Sequence, residues 1–243
     1  MPFPRIHCDL RLGPGAQFAL APEAAQHVAK SLRLKSGDAL VVFDGRGGEY
    51  DAVIQRVERD RVDVKVGAFK DVDRESSLDI GLVQGLPEAG DKMDWIIQKA
   101  AELGASWIQP IVCDRSVMRL SEERAARREA HWRRVAVAAC EQCGRNRIPE
   151  VRPTLNFQSW IAAPSTSRRW MLARDGAPVA SMPRPDGPLE LLVGPEGGLS
   201  EREIDLALPR GFEPVALGTR VLRTETAPIV AMAAMHALWG DFS

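Results

Sequence analysis

Two segments in the C-terminal third of this 243-residue sequence have residue types that could bind a ligand. The first is Val193–Ser200 (Val-Gly-Pro-Glu-Gly-Gly-Leu-Ser), which follows an apolar run. Its glycines lack a Cβ atom, so their backbone N–H and C=O groups could approach a ligand closely. The segment matches neither the Gly-x-Gly-x-x-Gly dinucleotide fingerprint nor the Gly-Lys-Ser/Thr phosphate loop, which disfavours a nucleoside triphosphatase. An ordinary turn between a strand and a helix would show the same pattern.

The second segment is Leu217–Ala227 (Leu-Gly-Thr-Arg-Val-Leu-Arg-Thr-Glu-Thr-Ala). Its two arginines and its glutamate could stabilise charge or move a proton in a reaction. They could equally form a solvated loop of paired charges, because exposed ion pairs are common and individually contribute little. The residues of either segment, taken alone, do not distinguish a ligand-binding role from a structural one.

The elements around these segments predict an α/β domain. From residue 78 onward strands and helices alternate, which is typical of a mainly parallel sheet covered by helices. The predicted strands are Leu78–Gln84, Trp107–Val112, Trp170–Ala173, Leu189–Val193 and Pro214–Leu217, and the predicted helices are Lys92–Leu103, Glu122–Cys143, Glu201–Leu208 and Pro228–Trp239. Both candidate segments follow a strand, and ligands bind at the carboxyl ends of strands in open α/β sheets. Ser200 and Glu203 form the pattern of a capping box, which predicts a helix start directly after the first segment.

The N-terminal part has a β-like pattern. Residues in Val62–Val66 alternate between apolar and polar, and turn residues separate neighbouring apolar runs, so we expect a small barrel with one helix at Glu23–Leu34. The polar bridge Lys70–Ser77 lacks apolar periodicity and marks a domain boundary.

Composition restricts the class of protein and the way it could bind nucleic acid. Lys and Arg total 32 against 33 Asp and Glu, so a nucleic-acid partner would need a local basic patch. The most basic long stretch is Asp114–Arg152, with an excess of four positive charges, although its helical arginines could form a solvated face.

The sequence shows neither a leader-like start nor a long apolar span, so we expect a cytoplasmic protein. Its four cysteines suit neither a disulfide framework nor a zinc site, and no metal is expected.

Four motifs together resemble the RsmE family of the SPOUT superfamily. They are Gly194–Gly198 with the following Ser-x-x-Glu, Leu217–Ala227, Met93–Gly104 (Met-Asp-Trp-Ile-Ile-Gln-Lys-Ala-x-Glu-Leu-Gly) and Glu141–Arg145 (Glu-Gln-Cys-Gly-Arg). The resemblance spans nearly the whole chain. It implies a PUA-like β-barrel domain that binds RNA at residues 1–72, and an α/β methyltransferase domain with a trefoil knot and a mainly parallel sheet at residues 73–243.

The resemblance also implies a cofactor, S-adenosylmethionine, held mostly by backbone groups of three loops. The residues expected to bind it are Leu172, Ala173, Val193, Gly194, Pro195, Glu196, Gly197, Gly198, Leu217, Gly218, Arg220, Val221, Leu222, Thr224, Thr226 and Ala227.

The implied activity is methylation of N3 of a uridine in small-subunit (16S) ribosomal RNA. The N3–H must lose its proton, so a base and a cation could both assist. We expect Arg223 to stabilise the charge on the uridine, and Glu225 or Glu196 to accept the proton or orient Arg223, although hydroxide from solvent could serve as the base.

Partners and alternatives follow from the same resemblance. We expect RNA contacts from Arg5, Arg33, Arg115 and Arg145, and a homodimer in which Ile229, Met232 and Met235 face either the partner or their own core. The alternatives are an enzyme of the same fold that methylates a ribose hydroxyl or a guanine, and an RNA-binding module without catalysis.

Overall fold

The computed structural model describes residues 3–59, 61–117 and 122–242, and the chain divides into two compact units. The first extends to Glu75 and includes Cys140–Ile148, and the second comprises Ser76–Ala139 and the chain from Pro149 onward. The sequence-based boundary assigns Cys140–Ile148 to the second domain. Hydrogen bonds explain the difference, since Asn146 Nδ2 donates to the Val72 carbonyl at 2.9 Å within the first unit.

The first unit is built on a five-stranded mixed sheet. Its strands are β1 (Arg5–His7), β2 (Gln17–Ala19), β3 (Ala39–Phe43), β4 (Glu49–Val57) and β5 (Val62–Lys70), paired in the order β1-β3-β4-β5-β2. β1 pairs with β3 in parallel, and the other pairs are antiparallel. The alternating side chains Val62, Val64 and Val66 are fully buried, as the period of two predicts.

The helix of the first unit is shorter than the sequence predicts. Helix α1 covers Pro22–Gln26, and a π-helical turn follows at His27–Ser31 instead of further α-helix. The Leu32 N–H donates to the His27 carbonyl, five residues back. Arg33 then has φ +55°, a left-handed conformation that ends the helix.

The second unit is an α/β layer structure. Its strands are β6 (Ile80–Gly85), β7 (Trp107–Val112), β8 (Glu150–Val151), β9 (Leu155–Asn156), β10 (Arg168–Pro178), β11 (Leu189–Val193) and β12 (Phe212–Ala216), and its helices are α2 (Gly90–Glu102), α3 (Glu122–Cys143, whose last turn belongs to the first unit), α4 (Phe157–Ala162), α5 (Glu201–Ala207) and α6 (Thr226–Trp239). Every strand pair described in this sheet is parallel, in the order β12-β10-β11-β6-β7-β8, with β9 also paired to β7. The predicted fold class, a mainly parallel α/β domain with a small PUA-like domain, is confirmed. The trefoil knot stays a prediction.

This strand order explains how distant segments meet. β10 lies between β11 and β12, so the carboxyl ends of all three parallel strands reach the same edge of the sheet. The first candidate segment leaves β11 at that edge and the second leaves β12. The register between β10 and β12 shifts between Leu172 and Ala177, which inserts extra residues of β10 at the same edge.

Helices α2 and α6 contact each other on the sheet. Met93, Ile96 and Ile97 of α2 are buried, as its helical spacing predicts, and Gly104 ends the helix with φ +78°. Met232 and Met235 of α6 are completely buried within this chain, and Ile229 is partly buried. The intramolecular core is therefore the correct interpretation for the two methionines. None of the helices in the described part of the chain is long and apolar enough to cross a membrane.

Candidate active site

A cavity of about 870 Å³ lies where β10, β11 and β12 end. Three chain segments line it: Leu172–Asp175 of β10, residues 193–199 from the last residue of β11 onward, and Val215 of β12 with most of residues 217–227 after it. Lys92 of α2 completes the described lining on one side. The strand order thus brings both glycine-bearing segments into one cavity.

One hydrogen bond joins the two loops of this cavity, and a second joins the later loop to β6. The Thr224 hydroxyl donates to the Gly194 carbonyl at 2.8 Å, and Gln84 Nε2 at the end of β6 donates to the same hydroxyl oxygen at 3.0 Å. Gln84 and Thr224 are both buried, so water competes little for these bonds. The loops are therefore fixed relative to each other by side chains as well as by the sheet.

Two glycines of the first loop meet specific steric demands. A Cβ atom on Gly194 would lie 2.8 Å from the Leu199 nitrogen, so a side chain there would force the turn apart. Gly198 has φ +69°, a conformation that side-chain-bearing residues rarely adopt. The glycines of this loop are therefore needed for the conformation of the turn, in addition to leaving its backbone groups accessible to a ligand.

The end of the first loop is held by the predicted capping box. Ser200 accepts a hydrogen bond from the Glu203 N–H, and the Glu203 carboxylate accepts from the Ser200 N–H at 2.8 Å. The same buried carboxylate accepts from the Asp114 N–H at 2.9 Å, and the Ser200 hydroxyl donates to the Asp114 carboxylate at 2.7 Å. The loop after β7 therefore supports the glycine loop.

Charged groups gather at one side of the cavity. Lys92 Nζ lies 2.6 Å from Glu196 Oε1 and 3.9 Å from Glu225 Oε2, and Arg223 Nη1 lies 3.9 Å from Glu225 Oε1. The Arg223 side chain is 83% exposed. The three residues predicted to be catalytic, Arg223, Glu225 and Glu196, are thus brought together with a lysine that the sequence analysis did not select.

The two carboxylates have different surroundings. Burial raises the pKa of Glu196, but hydrogen bonds from Lys92 and from the Glu88 N–H outweigh it, and the net pKa is lowered. Glu225 Oε2 is buried and has no hydrogen-bond partner among the described residues. Glu196 is therefore a weak proton acceptor, whereas Glu225 keeps a free acceptor atom beside the cavity.

Nearly all of the residues expected to bind the cofactor line this cavity. Thr226 is the exception, since it is the first residue of α6 and is not in the lining. Besides the residues predicted to be catalytic, the structure adds Lys92, Arg174, Asp175, Leu199, Val215 and Thr219 to the lining. Arg174 and Asp175 lie in the part of β10 beyond its predicted end at Ala173, and the apolar periodicity of the sequence did not indicate this extension. Lys92 immediately precedes the Met93–Gly104 motif. Its position at the start of α2 was the one sequence signal that could have indicated it as a site residue.

The arginines expected to bind RNA divide into two groups. In the first unit, the Arg5 and Arg145 side chains are buried in ion pairs with Glu49 and Glu75. Their guanidinium groups are therefore used inside the unit, and direct phosphate contact by these two stays an untested prediction that their burial disfavours. Arg33 is exposed.

Arg115 is also exposed, and its Nη1 donates to the Gly197 carbonyl at 2.8 Å. It thereby contacts the glycine loop directly. Part of the basic stretch Asp114–Arg152, residues 118–121, lies outside the described residues.

Comparisons with known proteins identify the family to which this chain belongs. The RNA methyltransferase domain model matches residues 74–236, and the RNA methyltransferase PUA domain model matches residues 20–67. The ribosomal RNA small subunit methyltransferase E of Bacillus subtilis (strain 168) is 32% identical over 229 residues, 90% of this chain and 89% of the relative. The chain belongs to the RsmE family of RNA methyltransferases.

Solved structures of similar proteins agree with this assignment. A protein from Legionella pneumophila, solved in complex with the bound cofactor SAM, is 36% identical with a TM-score of 0.94, and each chain covers 100% of the other. The ribosomal RNA small subunit methyltransferase E from Neisseria gonorrhoeae, bound to S-adenosyl methionine, is 35% identical with a TM-score of 0.92 over 99% of this chain and 100% of its own. The RsmE fold is therefore shared along the full described length.

Proposed function

We propose that this RsmE-family protein transfers a methyl group from S-adenosylmethionine to N3 of a uridine in the RNA of the small ribosomal subunit. The observation that carries the proposal is the single cavity formed by the two glycine-bearing loops, with Arg223, Glu225 and Lys92 at one side. Relatives of the same family are ribosomal RNA small subunit methyltransferases, and two similar structures hold this cofactor.

The cavity residues fit S-adenosylmethionine. Apolar side chains such as Leu172, Val193 and Leu222 suit a planar adenine ring, and the loops offer backbone N–H and C=O groups for its polar edge. When bound, the cofactor supplies a methyl group already activated on a sulfonium.

The protein groups then act on the nucleobase. The Glu225 carboxylate, whose Oε2 makes no hydrogen bond among the described residues, accepts the N3 proton of uridine as the nitrogen becomes nucleophilic. Arg223 donates hydrogen bonds to a carbonyl oxygen next to N3, where negative charge accumulates, and its exposed guanidinium stays protonated throughout. Glu196 is held by Lys92 and Glu88, so its role is to fix the loop.

The remaining expectations belong to the same proposal. The first unit, with the PUA domain match, would bind RNA, and the active form would be a homodimer in the cytoplasm. Exposed apolar side chains on α6, Val230 and Leu238, offer a surface for a second copy of the chain.

The test is transfer of labelled methyl from S-adenosylmethionine to small subunits and to naked RNA from a strain that lacks the modification. We expect label in the RNA and, by calorimetry, binding of the cofactor to the protein alone. Cofactor binding without label in either substrate would support a module that binds RNA without catalysis. Absence of cofactor binding would refute the proposal.

A further inference from the structure

Lys92 connects three separate parts of the second unit. It lies in the first turn of α2, whereas Glu196 belongs to the loop after β11 and Glu225 to the loop after β12. Its Nζ donates to Glu196 Oε1 at 2.6 Å and lies 3.9 Å from Glu225 Oε2. The ammonium therefore sits between two carboxylates that come from different loops.

The surroundings distinguish this contact from an ordinary surface ion pair. Lys92, Glu196 and Glu225 all line the cavity. The Glu225 carboxylate is mostly buried, with 17% of the side chain exposed, and its Oε2 has no hydrogen-bond partner among the described residues. Two carboxylates facing one cavity would repel each other without a cation between them. A charge at this position thus affects both loops together.

We propose that Lys92 is a positioning residue: it ties Glu196 to α2 and holds the Glu225 carboxylate beside it, at the side of the cavity where the nucleobase would bind. This inference rests on the proposed function. Lys92 itself takes no part in the chemistry, and the methyl group passes from the sulfonium to the nitrogen while the proton passes to Glu225. The loops are already joined below by Thr224 and Gly194, so the ionic contact orients the charged side of the cavity.

A matched pair of variants tests the role of Lys92. Lys92→Met removes the ammonium and keeps much of the apolar side chain. Lys99→Met is the control, because Lys99 lies on the same helix, is equally exposed and pairs with Glu102 outside the cavity. We expect Lys92→Met to lower kcat about 10- to 100-fold, with the cofactor Kd changed less than about threefold, because misplacement of a reacting group costs rate more than affinity.

Two further readouts separate positioning from a general loss of structure. In the cofactor-free protein, hydrogen exchange of residues 193–200 and 217–226 should be faster in Lys92→Met than in Lys99→Met. Lys92→Arg should recover part of the lost kcat, since a guanidinium can contact both carboxylates. In a Glu196→Gln background, Lys92→Met should lower kcat by a smaller factor than it does in the wild type.

The outcomes are distinct from those that test the function. An inactive wild-type protein would refute the proposed function. An active wild type with Lys92→Met equal to Lys99→Met in kcat and in hydrogen exchange would refute the inference alone. Lys92→Arg no better than Lys92→Met would also overturn it.

Discussion

At the residue scale, the structure separates two glutamates that the sequence left equivalent. Both lie on loops of the cavity, but the Glu196 carboxylate is occupied by Lys92 and by the Glu88 N–H. Glu225 retains a buried oxygen without a hydrogen bond among the described residues. The contacts, and not the residue type, distinguish the two carboxylates, and on this ground we propose that Glu225 is the group that accepts the proton.

Arg223 provides the first prediction at this scale. Replacing it with alanine should lower kcat by about 10²-fold, the usual effect of removing one donor that stabilises developing charge. The cofactor Kd should change little, because the Arg223 side chain is mostly exposed. Labelled methyl transfer and calorimetry measure the two effects. The control is Arg202→Ala, because Arg202 is an exposed arginine on α5. Near-wild-type turnover of Arg223→Ala would show that Arg223 takes no part in the chemistry.

At the element scale, the capping box determines how the glycine loop enters α5. Ser200→Ala removes the hydroxyl that accepts from the Glu203 N–H and donates to Asp114. We expect a loss of about 1 kcal/mol in the free energy of unfolding, which is typical for an N-cap. All six tryptophans lie in the second unit, so urea unfolding followed by their fluorescence reports this change. Ser159→Ala, an exposed serine on α4, should leave the free energy of unfolding unchanged.

In the first unit, an ion cluster around Glu49 of β4 makes stability depend on pH. Burial raises the pKa of Glu49, but hydrogen bonds from Arg74, Arg5 and Asn146 outweigh it and lower the pKa to about 2 from an ordinary value of 4.5. Because the folded-state pKa is the lower one, this stabilisation is complete above pH 4.5 and is lost as pH falls towards 2.

The expected result is therefore a loss of protection at low pH. Hydrogen exchange of residues 39–57, corrected for its intrinsic pH dependence, should show a larger loss of protection between pH 6 and pH 3 in the wild type than in Glu49→Gln. An equal loss in both proteins would show that the cluster does not couple folding to pH.

The sequence predicted elements better than side-chain contacts. The helix α3 and the strands β7 and β11 have their predicted bounds, because each has a clear apolar pattern. β8 and β9 were missed because two residues cannot show a period, and the extension of β10 was missed because it contains charged and small residues.

The loops of the site were predictable, and the pairing of their charges was not. Glycine spacing and motif resemblance indicated both loops of the cavity. The burial of Arg5 and Arg145 depends on Glu49 and Glu75, which are distant in sequence from their partners. Lys92 was missed for the same reason, since its importance comes from two carboxylates more than 100 residues away.

At the scale of the whole molecule, a nearly neutral chain must bind an anionic polymer through local patches. Of the arginines predicted to bind RNA in the first unit, Arg33 is the exposed one, and among residues 3–59, 61–117 and 122–242 it forms no ion pair. If it neutralises one phosphate, Arg33→Ala should reduce the slope of log affinity against log salt by about 0.7 to 0.9 for a fragment of the small-subunit RNA.

The matched control is Arg61→Ala. Arg61 is also exposed in the first unit, but its guanidinium is paired with Asp63 at 2.8 Å. The slope should stay at the wild-type value in this variant. Equal slopes for wild type and Arg33→Ala, measured by fluorescence anisotropy, would contradict a phosphate contact by Arg33.

The chemical identity of the product tests the account as a whole. Small subunits lacking the modification are incubated with the protein and S-adenosylmethionine, their RNA is digested to nucleosides, and the products are identified by mass spectrometry. We predict one new methyl group on N3 of uridine, formed by the wild type and about 10²-fold more slowly by Arg223→Ala. A methyl group on a ribose hydroxyl or on a guanine would contradict the proposed assembly of Glu225 and Arg223 around a uridine imide.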